Sequence, residues 1–184
     1  AVVFGMAGSA RHRPAGGDGL PGFLKTHKSG EIREITVWDR GVLLDADSTE
    51  DFTVFADHLA RRAIGERSEA LALAGLLMAE KGVAHGLTVA GVAETLGIAL
   101  NRQGGNLDID LLFNSALLHD IAKGRTRHET AGAKLLRELG LHPLGDIVAG
   151  HRDAPPPTSG IFTEKEVVCL ADKLVRGKYH VGVR

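Results

Sequence analysis

The chain has 184 residues, a length that suits one domain or one domain with a remnant of a second. Hydrophobic residues make up 43% and charged residues 24%, a globular balance, and a formal net charge of -1 gives no overall reason to expect nucleic acid or an anionic membrane as partner. The single cysteine, Cys169, excludes an internal disulfide and turns any metal site toward nitrogen and oxygen ligands.

The opening Ala1-Val2-Val3-Phe4-Gly5-Met6 is apolar but short, and no basic segment precedes it as in a secretory signal. No apolar run looks long enough for the roughly 18 residues of a membrane span. The expectation is a cytoplasmic protein, and the missing initiator methionine points to a piece of something longer.

Residues 1 to about 30 carry many glycines, including Gly16-Gly17-Asp18-Gly19, without a period of 3.6 or 2, and read as loop. Residues 35–38 and 42–45 are β-prone, and Asp39-Arg40-Gly41 between them favours a turn, so a two-stranded element is expected. Ser48 followed by Asp51 opens a helix over about 50–63. From there the pattern is helical throughout. One helix is expected over 67–81, ending near Gly82, and another over 83–101, where Val89, Val92, Leu96 and Leu100 form one buried face and Gly104-Gly105 stops it. His85 lies on that face and points into the bundle.

Asp108 is a good N-cap for a helix over 109–123, with Gly124 as terminator. His128 opens a helix to about 139, and a shorter one covers 143–151. The run Asp153-Ala154-Pro155-Pro156-Pro157 is an extended loop. Thr163 with Glu166 forms a capping-box pattern for a last helix in which Val168, Ala171, Asp172 and Val175 share a face.

Within Leu117-Leu118-His119-Asp120-Ile121-Ala122-Lys123-Gly124, an apolar run ends in two adjacent metal-ligand side chains. Burying both without partners costs several kcal/mol, of order 2–7 for even one neutral polar group. A bound cation removes that cost, and His85, His128, His151 and Asp172 offer further ligands. Each alone is more often an ordinary core or surface residue, and the combination across several helices carries the case. Imidazole and carboxylate suit manganese, iron, cobalt, nickel, zinc or magnesium. Three or four such ligands leave positions for water, whose pKa the cation lowers to supply hydroxide near neutral pH. His128 and His151 could add a second cation with Asp120 bridging, so one or two ions are expected.

The pattern resembles the HD-domain superfamily over about 66–178. His85 in Val83-Ala84-His85-Gly86-Leu87 stands as the first family histidine, His119-Asp120 as the doublet, and Asp172 in Leu170-Ala171-Asp172-Lys173-Leu174 as the closing aspartate. His128 and His151 look like the branch of the family with two metals. The resemblance implies an all-α helical bundle and hydrolysis of phosphate esters, commonly in nucleotides, with a small phosphorylated compound as partner; the near-neutral charge and short apolar runs lead to neither membrane nor nucleic acid being expected. Asp120 would be a ligand first, and with Lys123 the catalytic pair. Lys123, Arg125 and Arg127 follow the doublet, and Lys173 and Arg176 follow the closing aspartate, so positive charge could gather where a phosphate approaches. Lys123, Arg125 and Lys173 are the expected phosphate contacts.

Glu34 to Phe52 resembles the closing strands and helix entry of the molybdenum-cofactor type of nucleotidyltransferase, with Asp45 and Asp47 read as turn and helix entry rather than as metal ligands. The expected division is 1–63, a truncated tail with its connecting helix, and 64–184, the HD domain. Two other classes share these residues: a di-iron oxygenase using the same six ligands, and a non-catalytic metal- or nucleotide-binding domain that regulates an attached transferase.

Overall fold

The computed structural model describes residues 2–6, 32–44, 46–158, 160–177 and 179–180. The glycine-rich Gly16–Gly19 and Asp45 lie outside these residues. The chain forms two compact units, Ala1–Leu43 and Leu44–Arg184.

In the first unit, β1 (Val2–Met6) runs antiparallel to β2 (Ile32–Thr36), with Val2 opposite Thr36 and Met6 opposite Ile32. This corrects the expectation of strands at 35–38 and 42–45, and places a strand where loop was expected. The reason is local. The Asp39 carboxylate accepts the Gly41 N–H at 2.7 Å, an Asx-type bond that tightens the chain into a 3-10 turn over Arg40–Leu43. Val42 and Leu43 are left largely exposed, so their β propensity has no surface to cover.

The second unit is all-α, with seven α-helices among the described residues. Helix α1 (Thr49–Arg61) starts as expected from Ser48, whose hydroxyl accepts the Asp51 N–H while Asp51 accepts the Ser48 N–H, both at 3.1 Å. Helix α2 (Arg67–Leu77) ends before Gly82, because Met78 and Ala79 are extended. Gly82 sits instead in the first turn of α3 (Glu80–Arg102). By length and composition alone α3 could cross a bilayer, with a mean hydropathy of 1.5, which corrects the expectation that no run qualifies. In this unit α3 packs against α4 (Ile109–Leu118) and α7 (Glu164–Lys173).

Helix α4 is the centre of the core. Leu112 and the whole of Asn114 to Leu118 are buried, and the helix touches α2, α3, α6 (His142–Ala149) and α7, while α6 pairs with α5 (His128–Glu138). Leu73, Leu112, Leu117, Leu118, Leu136 and Leu144 are fully buried, each worth about 1.5–3 kcal/mol. The buried Asn114 donates to the carbonyls of Ile64 and Gly65 at 3.2 and 3.0 Å, fixing the loop before α2, while its Oδ1 and the Ser115 hydroxyl have no hydrogen-bond partner among the described residues. After α7 the short strands β3 (Val175–Arg176) and β4 (Tyr179–His180) pair antiparallel, an element the sequence pattern did not suggest.

The contact between α3 and α4 depends on glycine. A Cβ on Gly86 would stand 2.3 Å from the Leu117 carbonyl oxygen, and one on Gly97 2.9 Å from a Leu112 methyl. Neither helix could come this close with a larger residue there. Gly86 follows His85 and Leu117 lies two residues before His119, so this close approach brings the two histidines together.

Candidate metal centre

Two helices end at histidines, and the same bond is found at both ends. The helix expected over 109–123 stops at Leu118, because the His119 ring Nδ1 hydrogen-bonds the Ala116 carbonyl at 2.7 Å and competes with the backbone for it. The chain continues in tight turns, with the Ile121 N–H donating to Leu118 and the Lys123 N–H to Asp120, before Gly124 turns with φ of +95°. Helix α6 ends at Ala149, and the His151 Nδ1 meets the Val148 carbonyl at 2.8 Å. From α3, His85 places its Nδ1 2.7 Å from the Gly177 carbonyl. A carbonyl can only accept, so all three rings carry a proton on Nδ1, and on His85 the other ring nitrogen, Nε2, lies within hydrogen-bond distance of Asp172 Oδ1. Metal-binding histidines are oriented in this way.

The six expected ligands converge. His85 Nε2 is 3.1 Å from Asp172 Oδ1, and His119 Nε2 is 3.4 Å from the same oxygen and 3.5 Å from Asp120 Oδ2. On the other side of Asp120, Oδ1 lies 3.4 Å from His128 Nε2. Ring centroids of His119 and His151 are 5.1 Å apart, and those of His128 and His151 6.2 Å. Two groups have ligand atoms all within 4.8 Å of one another, His85–His119–Asp172 and His119–Asp120–His151, and either could hold a metal ion.

An observation independent of those distances tests the fit. His119 is 1% exposed, and its Nε2 has no hydrogen-bond partner. The 3.4 Å separation from Asp172 is too long for a good hydrogen bond. A buried ring nitrogen that faces two carboxylates without a hydrogen bond costs free energy unless a cation lies between them, so the residues fit a metal.

The electrostatics follow from this crowding. Burial works against the Asp172 carboxylate, but His119 and the neighbouring His85 and His151 outweigh it and pull its pKa down to about 2. Asp120 is lowered as well, burial being overcome by Lys123, His119 and His128. Burial depresses His119, yet Asp172, the Ala116 carbonyl and Asp120 leave it raised. His151 is lowered, mainly by burial. Carboxylates held this firmly in the anionic form are what a cation site requires.

The expected phosphate contacts divide. Lys123 reaches the centre, its Nζ 2.5 Å from Asp120 Oδ2, while its side chain stays 65% exposed. Arg125 and Lys173 are exposed, and neither makes a hydrogen bond or ion pair with the six ligands among the described residues. Two residues that the pattern analysis did not single out stand at the rim. Glu129 Oε1 is 3.5 Å from His128 Nε2 and accepts from Arg152 at 2.7 Å. The signal was available: His128-Glu129 is a second histidine-carboxylate doublet, masked by its place at an exposed helix start.

Residues 82–177 match the HD domain family, a span that contains all six converging residues. The chain belongs to the HD domain family. It is also 32% identical to an uncharacterized protein of Methanocaldococcus jannaschii, over an alignment covering 64% of this chain and 80% of that protein. No solved structure matches the chain. HD domains bind divalent metals and are in general metal-dependent hydrolases, so the fold and the donor set agree on the class of chemistry.

Proposed function

We propose that this HD domain hydrolyses a phosphate ester of a nucleotide or another small phosphorylated compound, using two divalent cations that would be held on either side of Asp120. One observation carries the reading: the two oxygens of Asp120 face different histidines, Oδ2 toward His119 and Oδ1 toward His128. His85, His119 and Asp172 would complete one site, and His128 and His151 the other. Cations held there polarise a phosphoryl oxygen and lower the pKa of bound water.

The chain's own residues do the rest. The Nδ1 bonds to backbone carbonyls hold His85, His119 and His151 in a fixed orientation, each ring turned toward the centre. Asp120 is committed to binding, and so is a ligand rather than a base. Lys123 sits at the rim on a mostly exposed side chain, and can leave Asp120 for a phosphoryl oxygen, offsetting negative charge as it develops. Arg125 and Lys173, exposed on flanking segments, would meet more distant phosphates. The resemblance of residues 34–52 to a nucleotidyltransferase end supports a division into a transferase tail, 1–63, and the HD domain, 64–184.

The test is elemental analysis of freshly purified protein, then a phosphate-release screen over nucleotides and simple phosphate esters with each bound metal, run with and without oxygen. Metal-dependent phosphate release in both atmospheres is expected. Iron with oxygen consumption and no phosphate would make the protein an oxygenase, and tight nucleotide binding without turnover would make it a regulatory domain.

A further inference from the structure

The second side of the centre has one more carboxylate than the six-residue set contains. Glu129 lies in the first turn of α5, directly after His128, and its side chain is 18% exposed. The turn before it is unusual: Arg127 is left-handed, with φ of 51°, the one non-glycine residue at positive φ among those described. Such a conformation is rare for a residue with a Cβ, and here it starts α5 so that His128 and Glu129 meet at their tips.

The distances around His128 Nε2 set the argument. Asp120 Oδ1 stands at 3.4 Å and Glu129 Oε1 at 3.5 Å. Good N–H···O hydrogen bonds fall at about 2.7–3.2 Å, so neither contact is one. Atoms bound to a common ion at about 2.1 Å are roughly 3–3.5 Å from each other, and each contact taken alone fits that spacing, while the three ligand atoms together are more widely spread than in the two groups above. Arg152, next to His151 in sequence, holds the same Glu129 oxygen at 2.7 Å from a side chain that is 63% exposed. A cleft of about 290 Å³, lined in part by Arg127, Glu129, Thr130 and Arg152, opens there to solvent.

We propose that Glu129 is a ligand of the second cation, with Asp120, His128 and His151, and that Arg152 competes with that cation for the Glu129 carboxylate. The proposal rests on the two-ion reading above. A carboxylate at this position adds negative charge to a site otherwise made of two imidazoles and a shared aspartate. The guanidinium would let go when the ion binds, so filling of this site would be coupled to the loop that carries Arg152.

Equilibrium dialysis of the full chain against Mn²⁺, with bound metal measured by elemental analysis, tests this without any substrate. Wild type should take up two ions. Glu129→Gln should bind the first as wild type does and the second at least tenfold more weakly, whereas Arg152→Ala should bind the second as tightly or more tightly. If Glu129 only anchors Arg152, both variants weaken the second ion alike, and the proposal fails. It fails by itself if wild type takes two ions and Glu129→Gln is unchanged. A wild type that holds one ion overturns the two-ion reading, and this proposal with it. First-ion affinity is the check that each variant is folded.

Discussion

The two sides of Asp120 are built differently. Toward Oδ2 stand His119, 1% exposed at the end of the most buried helix, and His85, held beside it by glycine-dependent packing of α3 on α4. Toward Oδ1 stand His128, with a side chain 23% exposed, and the surface pair of Glu129 and Arg152. One side is set by close-packed backbone and leaves little room for adjustment. The other is assembled from the start of a helix and a loop. A centre made this way should hold one cation in a prepared site and a second in a site that closes around it.

Removing single histidines is the strongest way to break that contrast. His119 completes the first site and its ring also lies in the group with Asp120 and His151, so His119→Ala should lose the first ion, weaken the second, and lower phosphate release at least about a hundredfold, in line with loss of a cation's electrostatic contribution. His128→Ala should lose one ion and keep the other. Elemental analysis with far-UV circular dichroism reads both variants, and helicity should be retained. Equal metal loss in the two variants would mean that the sides do not differ.

The packing behind the first side is tested at Gly86. Replacing a mid-helix glycine by alanine should by intrinsic propensity stabilise a helix by about 1 kcal/mol. Here the added methyl would collide with the Leu117 carbonyl oxygen, which is backbone and cannot turn aside. Gly86→Ala should therefore destabilise the protein by about 1–3 kcal/mol, the usual cost of overpacking, and weaken the first ion by separating His85 from His119. Urea denaturation gives the sign, and a gain in stability would disprove the close approach.

The same contrast explains what was legible in the chain. Periodicity placed the buried face of α7, and hence Asp172, because a ligand in a core helix shares the spacing of its apolar neighbours. On α3 it found Val89, but the rest of the buried face is Gly86, Ala90, Ala93 and Gly97 and not Val92, Leu96 and Leu100, because the close approach to α4 takes small residues that carry little apolar signal. The doublet was legible for the opposite reason, being polar where the pattern is apolar. The actual end of α4 was not, since it depends on a ring nitrogen taking a carbonyl from the helix ladder. Gly86 read only as a small residue, because its role lies in a helix far away in sequence. Glu129 and Arg152 sit on an exposed rim where charged residues are common, and only their distances set them apart. The β1–β2 pairing joins segments about thirty residues apart, which no local pattern could indicate.

The smallest effect lies in the cap that starts α7, the helix delivering Asp172 to the first side. Glu166 accepts the Thr163 N–H at 2.8 Å and its hydroxyl at 2.5 Å. Burial raises the Glu166 pKa, but those two bonds outweigh it and the net shift is downward. The sign follows. A carboxylate with a folded-state pKa below its unfolded value stabilises the protein fully above the unfolded value, about 4.3, and that stabilisation is lost as pH falls through the lower folded value. Glutamine keeps an acceptor oxygen without the charge, so Glu166→Gln isolates the ionic part. Near neutral pH it should cost about 0.3–1 kcal/mol, the usual worth of a carboxylate at a helix N-terminus. The gap between variant and wild type in urea should close as pH drops below about 4. A gap that persists in acid would mean that the glutamate acts through packing, and that Asp172 is positioned by the core alone.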